Sequence, residues 1–140
     1  MADRPPAPAQ QSLQLILARN LISTLSTAAF IVDPRGTVVF YNEAAGEFLG
    51  MRYEETGKMP LPEWRAAIEP VDDEGNPVPA DELPITVALR ERRPVHMTNR
   101  IRGRGSAAER IEMLALPLIG TEDQHEGAVG VFWLHLDAPE

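Results

Sequence analysis

The chain has 140 residues, of which 44% are hydrophobic and 24% charged, and it carries a net charge of −8 at pH 7 and no cysteine. These values suit one domain and exclude disulfides, thiolate nucleophiles and iron–sulfur clusters, while the negative charge argues against nucleic-acid binding. Because no apolar run approaches the ~20 residues of a membrane span and the N-terminus lacks a signal-peptide pattern, we expect a cytoplasmic protein without membrane association.

The first predicted elements are a disordered tail over residues 1–11, which are rich in proline, alanine and glutamine, and an amphipathic helix over residues 12–27 with Ser12 as its cap. The larger apolar stripe of this helix follows the helical period and consists of Leu13, Ile16, Leu17, Leu21 and Leu25. Leu15 and Ile22 lie on nearly the opposite side. A helix with two apolar faces needs two packing partners, so we assign one face to the domain itself and Leu15 and Ile22 to a homodimer interface.

A β-hairpin and a short helix are predicted next. Residues 29–41 form two apolar, β-branched runs separated by the turn sequence DPRG (33–36). Asn42 ends the second strand and caps a helix over residues 43–49, because its side chain can accept from the free amides of the first helical turn. Gly50 is placed to end that helix in the left-handed conformation.

The middle of the chain is less regular. Short helical segments are predicted at residues 53–56 and 62–68, followed by a polar loop rich in proline. Asp81 is placed to cap a helix over residues 84–93, where Ile85 and two neighbouring apolar residues form the buried side.

Three strands complete the prediction, at residues 95–102, 111–119 and 128–136. Pro117 indicates an edge or a bulge in the second of them, since proline cannot donate to a neighbouring strand. Five strands in two groups with helices inserted between them predict an α+β fold with one antiparallel sheet and helices on one face.

Three stretches, in this order and spacing, resemble the PAS family of bacterial sensory domains. They are AAFIVDPRGTVVFYNEAAGEFLG (28–50), DEGNPVPADELPITVALRERRPV (73–95) and ALPLIG…EGAVGVFWLHLD (115–137). The first resembles the opening hairpin and helix of that family, the second its proline-rich loop and helix, and the third its last two strands. The resemblance implies a PAS domain over residues 28–137, with five strands in the order 2-1-5-4-3 and a pocket between sheet and helices.

The resemblance also implies a sensory or signal-transduction module that binds a small apolar or amphipathic ligand or a protein partner, dimerises, and passes a conformational change to an output domain. These residues contain no kinase, cyclase, phosphatase or DNA-binding region. We therefore expect the output to come from a separate signalling protein or from a longer protein of which this chain is a fragment. The alternatives are a small α+β cavity enzyme of the isomerase or hydratase type and a ligand-free dimerisation scaffold.

The residue types disfavour cofactor and metal chemistry. Light-sensing flavin domains of the PAS type need a cysteine for their adduct, and haem-binding ones usually take a histidine from the helix that here reads PITVALRERR (84–93), which has none. His96, His125 and His135 do not have the spacing of metal ligands. We expect no haem, no flavin–cysteine adduct, no metal and no catalytic residue.

The candidate ligand pocket follows from strand alternation, which turns every second side chain toward the helices. The predicted lining residues are Val39, Tyr41, Ile85, Leu89, Met97, Asn99, Ile111, Met113, Val131 and Trp133. Asn99 is the polar residue that points to ligand recognition, because a buried unpaired amide costs about 1–3 kcal/mol. The set has no acid or histidine, which favours binding over catalysis. An ordinary filled core is the alternative, and a slip of one residue would exchange the faces of a strand.

A basic segment stands out in this acidic chain. Seven arginines and two glutamates lie between residues 90 and 110. The segment is either a solvated surface of mixed charge or a docking patch for an acidic partner or an anionic ligand.

Overall fold

The computed structural model describes residues 13–101, 109–120 and 124–135. Its helices are α1 (Leu13–Ile22), α2 (Glu43–Leu49), α3 (Tyr53–Thr56), α4 (Leu61–Ile68) and α5 (Pro84–Glu91), with a 3-10 turn at Ala80–Glu82. Its strands are β1 (Ala28–Val32), β2 (Thr37–Tyr41), β3 (Met59–Pro60), β4 (Pro70–Val71), β5 (Val95–Ile101), β6 (Glu109–Ile119) and β7 (His125–Leu134). None of the helices in these ranges has the length and apolar character needed to cross a membrane.

The strands form one antiparallel sheet in the order β3-β2-β1-β7-β6-β5-β4. Counted among themselves, the five longer strands have the order 2-1-5-4-3, which confirms the predicted α+β architecture. The additional strands β3 and β4 extend the sheet at its two edges and contain two residues each. Two residues are too few for an alternating pattern to be visible in a sequence.

Strand β2 and helix α2 begin and end where the sequence predicts. In the turn before β2, Gly36 has a φ of 88° and its amide donates to the Asp33 carbonyl at 3.0 Å. The Asn42 Oδ1 accepts from the Ala45 amide at 3.0 Å, and Gly50 ends α2 with a φ of 72°. The local chemistry of capping and turn residues is therefore enough to set these boundaries.

The sheet carries an apolar layer on each face. The larger layer lies under α2, α4 and α5 and contains Phe30, Trp64 and Phe132; we call this face the helix side. The smaller layer lies under α1, where Leu15 and Ile22 pack against the sheet, and we call it the α1 side. Helix α1 contacts β1, β7 and β6 but leaves Leu116 and Trp133 of the same face exposed, so it covers only part of this face.

Two predicted helix boundaries need correction. α1 ends at Ile22 rather than at residue 27, and the hydroxyls of Ser23 and Thr24 donate back to carbonyls of its last turn. The prediction that Asp81 caps α5 is wrong, because Asp81 lies in the 3-10 turn and Leu83 is the N-cap residue. The Thr86 hydroxyl joins that turn to α5 instead, through a bond of 2.6 Å to the Ala80 carbonyl.

Several predictions fall outside the described residues. These are the tail over residues 1–11 and the Ser12 cap. The last strand, predicted over residues 128–136, instead runs from His125 to Leu134, and residue 135 already lies outside it. The sequence predicts that Pro117 marks an edge or a bulge in β6. The pairing of β6 with β5 extends only as far as Ala115, so no strand lies beside Pro117 on the β5 side of β6.

Candidate functional site

Most of the predicted lining residues lie on the helix side of the sheet. They are Tyr41, Ile85, Leu89, Met97, Ile111 and Met113, which belong to or pack against the larger apolar layer. Asn99 lies on the same face, because it is paired directly with Ile111 across β5 and β6. The structure therefore brings together seven of the ten residues.

The other three predicted lining residues are on the opposite face, so their assignment is wrong. Val39 and Val131 belong to the α1-side layer, and Trp133 is 37% exposed. On β2 the cause is a register shift opposite Ile31 and Val32, which leaves Val39 as the extra residue of a bulge. On β7 the alternation is shifted by one, and Phe132 takes the inward position.

Aromatic rings occupy the interior on the helix side. The Phe30 ring lies between Trp64, with centroids 4.5 Å apart, and Phe132, with centroids 6.2 Å apart. Tyr41 contacts Trp64 at 5.4 Å, and Phe48 contacts Phe132 at 5.4 Å. Of these five rings, Tyr41 alone is among the lining residues predicted from the sequence. The region around Phe30 is therefore packed with side chains in the manner of an ordinary core.

Two polar atoms in the helix-side layer are buried without a hydrogen-bond partner. They are Nδ2 of Asn99 and Nε1 of Trp64. Each unpaired donor in this position costs about 1–3 kcal/mol. Asn99 is the polar residue that the sequence singled out, and a small molecule with an acceptor atom would satisfy its amide. The Tyr41 hydroxyl, in contrast, is satisfied by Thr56 Oγ1 at 2.7 Å.

Helix α1 presents its faces in the opposite sense to the prediction. Leu15 is 5% exposed and Ile22 is 2% exposed, because both pack on the sheet. Assigning these two residues to a dimer interface is therefore wrong. The exposed face is the larger stripe, although Leu25 lies beyond the end of α1. The four stripe residues on the helix, which we call the α1 stripe, are Leu13, Ile16, Leu17 and Leu21, with exposed fractions of 67%, 43%, 54% and 63%.

A polar cluster occupies the part of the α1-side face that α1 leaves uncovered. Glu112 accepts from the Trp133 Nε1 at 3.2 Å, while its other carboxylate oxygen lies 3.1 Å from His96 Nε2. The rings of His96 and Trp133 are stacked with centroids 6.4 Å apart. Glu112 also lies 3.5 Å from His135 Nδ1. Across the described ranges, no three histidine, aspartate or glutamate side chains are arranged to hold a metal ion.

The basic segment is only partly described. Arg100 and Arg110 are directly paired across β5 and β6, and like charges in such a pair repel. Arg93 forms an ion pair of 2.7 Å with Glu91, and its hydrogen bond lowers the pKa of that carboxyl. The remaining arginines of the segment include two, at positions 102 and 104, that lie outside the described residues. Docking of an acidic partner here stays a prediction.

Known proteins share this fold. The family model described as PAS fold matches residues 17–132. Among solved structures, the PAS domain from Bordetella pertussis BvgS is 14% identical with a TM-score of 0.63, and 89% of this chain and 88% of that one are covered. The Rhodobacter sphaeroides LOV protein is 15% identical with a TM-score of 0.66, covering 88% of this chain and 68% of that one.

A third solved structure has the same fold. The PAS domain of nitrogen regulation protein NR(II) from Vibrio parahaemolyticus is 12% identical with a TM-score of 0.59, and 85% of this chain and 98% of that one are covered. Comparison with curated proteins gave no match. At these identities the likeness to solved structures concerns the fold.

Proposed function

Because the chain belongs to the PAS family of sensory and signalling modules, we propose that it acts in signal transduction as a homodimer whose two copies meet along the α1 stripe. It relays a conformational change to a separate signalling protein, and it carries out no catalysis. The proposed location is the cytoplasm.

The α1 stripe is the observation that carries this proposal. Four large apolar side chains line one face of a ten-residue helix and are each at least 43% exposed. The opposite face of the same helix is fixed to the sheet by Leu15 and Ile22. A stripe on a rigidly held helix is self-complementary across a two-fold axis, since the same side chains can meet their copies. Such an exposed row is typical of an interaction site.

The energetics of burial favour a second copy on this surface. Complete burial of one leucine or isoleucine side chain stabilises by about 1.5–3 kcal/mol. Eight such side chains, four from each copy, can offset an association cost of at least about 4 kcal/mol even when each is only partly exposed at the start. The stripe contains no charge that would oppose the contact, and Asn20 lies between its leucines.

Binding rather than catalysis is supported by the residues that face the helices. A cavity enzyme of the isomerase or hydratase type needs an ionisable group in its cavity. Among the predicted lining residues on the helix side, the polar ones are Tyr41 and Asn99. Burial raises the pKa of Tyr41, with the carboxylates of Glu54 and Glu55 adding to the effect, so its hydroxyl is further from ionisation at neutral pH than a free tyrosine.

A small-molecule sensor is the second candidate function, and the unpaired amide of Asn99 favours it. A ligand carrying a carbonyl or hydroxyl oxygen would accept from Asn99 Nδ2. Such a ligand would have to displace part of the side-chain packing beside β5, since aromatic rings fill the neighbouring interior.

The dimer is tested by placing a charge on the α1 stripe. Leu17→Glu puts two carboxylates into the symmetric interface, and we expect it to weaken self-association at least about tenfold, because desolvating each charge costs several kcal/mol. Ala66→Glu, at an exposed position of α4, adds the same charge away from the stripe. Sedimentation velocity over a range of concentrations measures both. A Leu17→Glu chain that self-associates as strongly as Ala66→Glu would show that the stripe is not the interface.

A further inference from the structure

An open cleft lies at the edge of the domain, and none of the four residues of the α1 stripe lines it. It has a volume of about 670 Å³ and opens between the end of β2, helix α2 and helix α3. Phe40, Tyr41 and Tyr53 contribute aromatic rings to its lining. Gly46 allows its wall to close, because a Cβ there would lie 2.5 Å from the Met51 carbonyl oxygen. We call it the α2–α3 cleft.

The α2–α3 cleft is strongly acidic. Four glutamates line it, two from α2 and two from α3: Glu43, Glu47, Glu54 and Glu55. All four are exposed, and none forms an ion pair with another residue that the structure describes. Arg52 is the cation in the lining. The negative field reaches the floor, since Glu54 and Glu55 both help to raise the pKa of the Tyr41 hydroxyl, whose burial is the larger cause.

The aromatic wall of the cleft already holds a cation from this chain. The guanidinium carbon of Arg19, from α1, lies 4.5 Å from the Phe40 ring centroid and 5.6 Å from that of Tyr53. Both distances are within the range of a cation–π contact. The rings are held at an angle to one another, with Phe40 and Tyr53 centroids 5.2 Å apart and Tyr41 and Tyr53 centroids 5.5 Å apart. The faces of these rings therefore suit guanidinium groups.

We propose that the α2–α3 cleft docks an extended, arginine-bearing segment of a partner protein. A guanidinium group of the segment and its apolar stem take the place against Phe40 and Tyr53 that Arg19 holds in the free chain. The carboxylates of α2 and α3 pair with the charges on either side. The cleft volume exceeds what one guanidinium group occupies and suits two or three side chains of a segment. Carboxylates on two separate elements likewise match charges that are spaced along a chain. No residue of the α1 stripe lines the cleft, so docking there does not require the proposed dimer.

The test uses a fluorescently labelled peptide in which arginine and serine alternate over nine residues, with fluorescence anisotropy as the readout. We expect Glu47→Gln with Glu54→Gln to weaken binding by about fivefold or more, because two direct charge pairs are lost. Glu63→Gln with Glu82→Gln changes the net charge equally at exposed positions outside the cleft and should weaken binding less than about twofold. Equal losses in both double variants would overturn the proposal, since general attraction to an acidic protein would then suffice.

Three further measurements identify the occupant and its position. Tyr53→Leu keeps every cleft charge, and we expect it to weaken the arginine peptide more than the matching lysine peptide, because guanidinium stacks on aromatic faces. Circular dichroism melting confirms that this variant is folded. If free spermine competes as strongly as the peptide when the two are compared at equal total charge, the occupant is a small polyamine and not a protein segment, and the proposal is overturned. Amide shifts caused by the peptide should concentrate at residues 43–55, and shifts concentrated elsewhere would also overturn it.

Discussion

At the scale of single residues, Asn42 joins three elements through one amide side chain. Its Oδ1 accepts from the amides of Ala29 and Ala45, both at 3.0 Å, and its Nδ2 donates to the carbonyls of Ile22 at 2.9 Å and Thr27 at 2.8 Å. The residue is 3% exposed. Capping of α2 was readable from the sequence, but the bonds to α1 and β1 were not, because they join residues 13 and 20 positions apart.

Asn42→Ala removes all four bonds and leaves buried backbone groups unpaired. We expect the free energy of unfolding to fall by about 3 kcal/mol, since capping alone is worth about 1 kcal/mol and the orphaned groups add to it. Urea denaturation at a protein concentration where the chain is monomeric measures the loss, with Asn20→Ala on the exposed face of α1 as the matched control, where less than about 0.5 kcal/mol is expected. Hydrogen exchange should also accelerate in α1. Equal stability of the two variants would mean that Asn42 is not a structural link.

Gly130 shows why part of the core escapes sequence reasoning. It lies opposite Phe30 in the pairing of β1 and β7, and a Cβ at Gly130 would come within 2.4 Å of the Phe30 ring. The glycine thus makes room for the ring at the centre of the aromatic cluster. In the sequence, Gly130 looks only like a weak point in a strand, because the pairing with a residue 100 positions earlier is set by the whole sheet.

At the scale of elements, α1 shows the limit of counting apolar residues. The sequence correctly predicts a helix with two apolar faces, but it does not tell which face meets the domain. Leu15 and Ile22, two turns apart, are enough to anchor a short helix that crosses only part of the sheet. The richer face is left to solvent in the single chain. The number of leucines on a face therefore does not decide its partner.

Truncation of two neighbouring side chains at the end of α1 should affect the stability of the chain to very different extents. Ile22→Ala removes a side chain that is 2% exposed, and we expect it to lower the free energy of unfolding by about 2–4 kcal/mol. Leu21→Ala removes one that is 63% exposed and should change the stability of the single chain by less than about 0.5 kcal/mol, while weakening self-association. Urea denaturation at low protein concentration and sedimentation at high concentration separate the two effects. The reverse ranking in urea would restore the original assignment of faces.

In the strands, the alternation of residues predicts which face of the sheet a side chain occupies only where the strand is regular and buried on one face. On β5 and β6 the alternation of residues places Met97, Ile111 and Met113 correctly, because each strand is regular along that stretch. On β7 the run from Ala128 to Phe132 is apolar on both faces, since α1 covers one face and the helix side the other. A strand buried on both faces has no visible alternation, so its phase could not be read.

At the scale of the whole molecule, the sheet separates a filled interior from an open surface. On the helix side, rings from β1, α4 and β7 pack together around Phe30. On the other side, α1 leaves Leu116 and Trp133 at least 37% exposed, beside its own exposed stripe. The fold thus leaves large apolar side chains exposed on one face and packs its aromatic rings in the interior. This arrangement supports the proposed role in protein contacts more directly than a role in enclosing a ligand.

Asn99 provides the test that distinguishes these two modes. If no ligand meets its buried amide, Asn99→Leu removes an unpaired donor from an apolar site, and we expect the free energy of unfolding to rise by about 1 kcal/mol. Native mass spectrometry should then show the chain and its dimer without added mass. Thr98→Val, on the exposed face of the same strand, is the control and should change stability by less than about 0.5 kcal/mol. If the wild-type chain instead carries an added small molecule that Asn99→Leu loses and Thr98→Val keeps, the amide is a ligand contact. In that case Asn99→Leu should lower the stability, because binding to the folded state stabilises it by mass action.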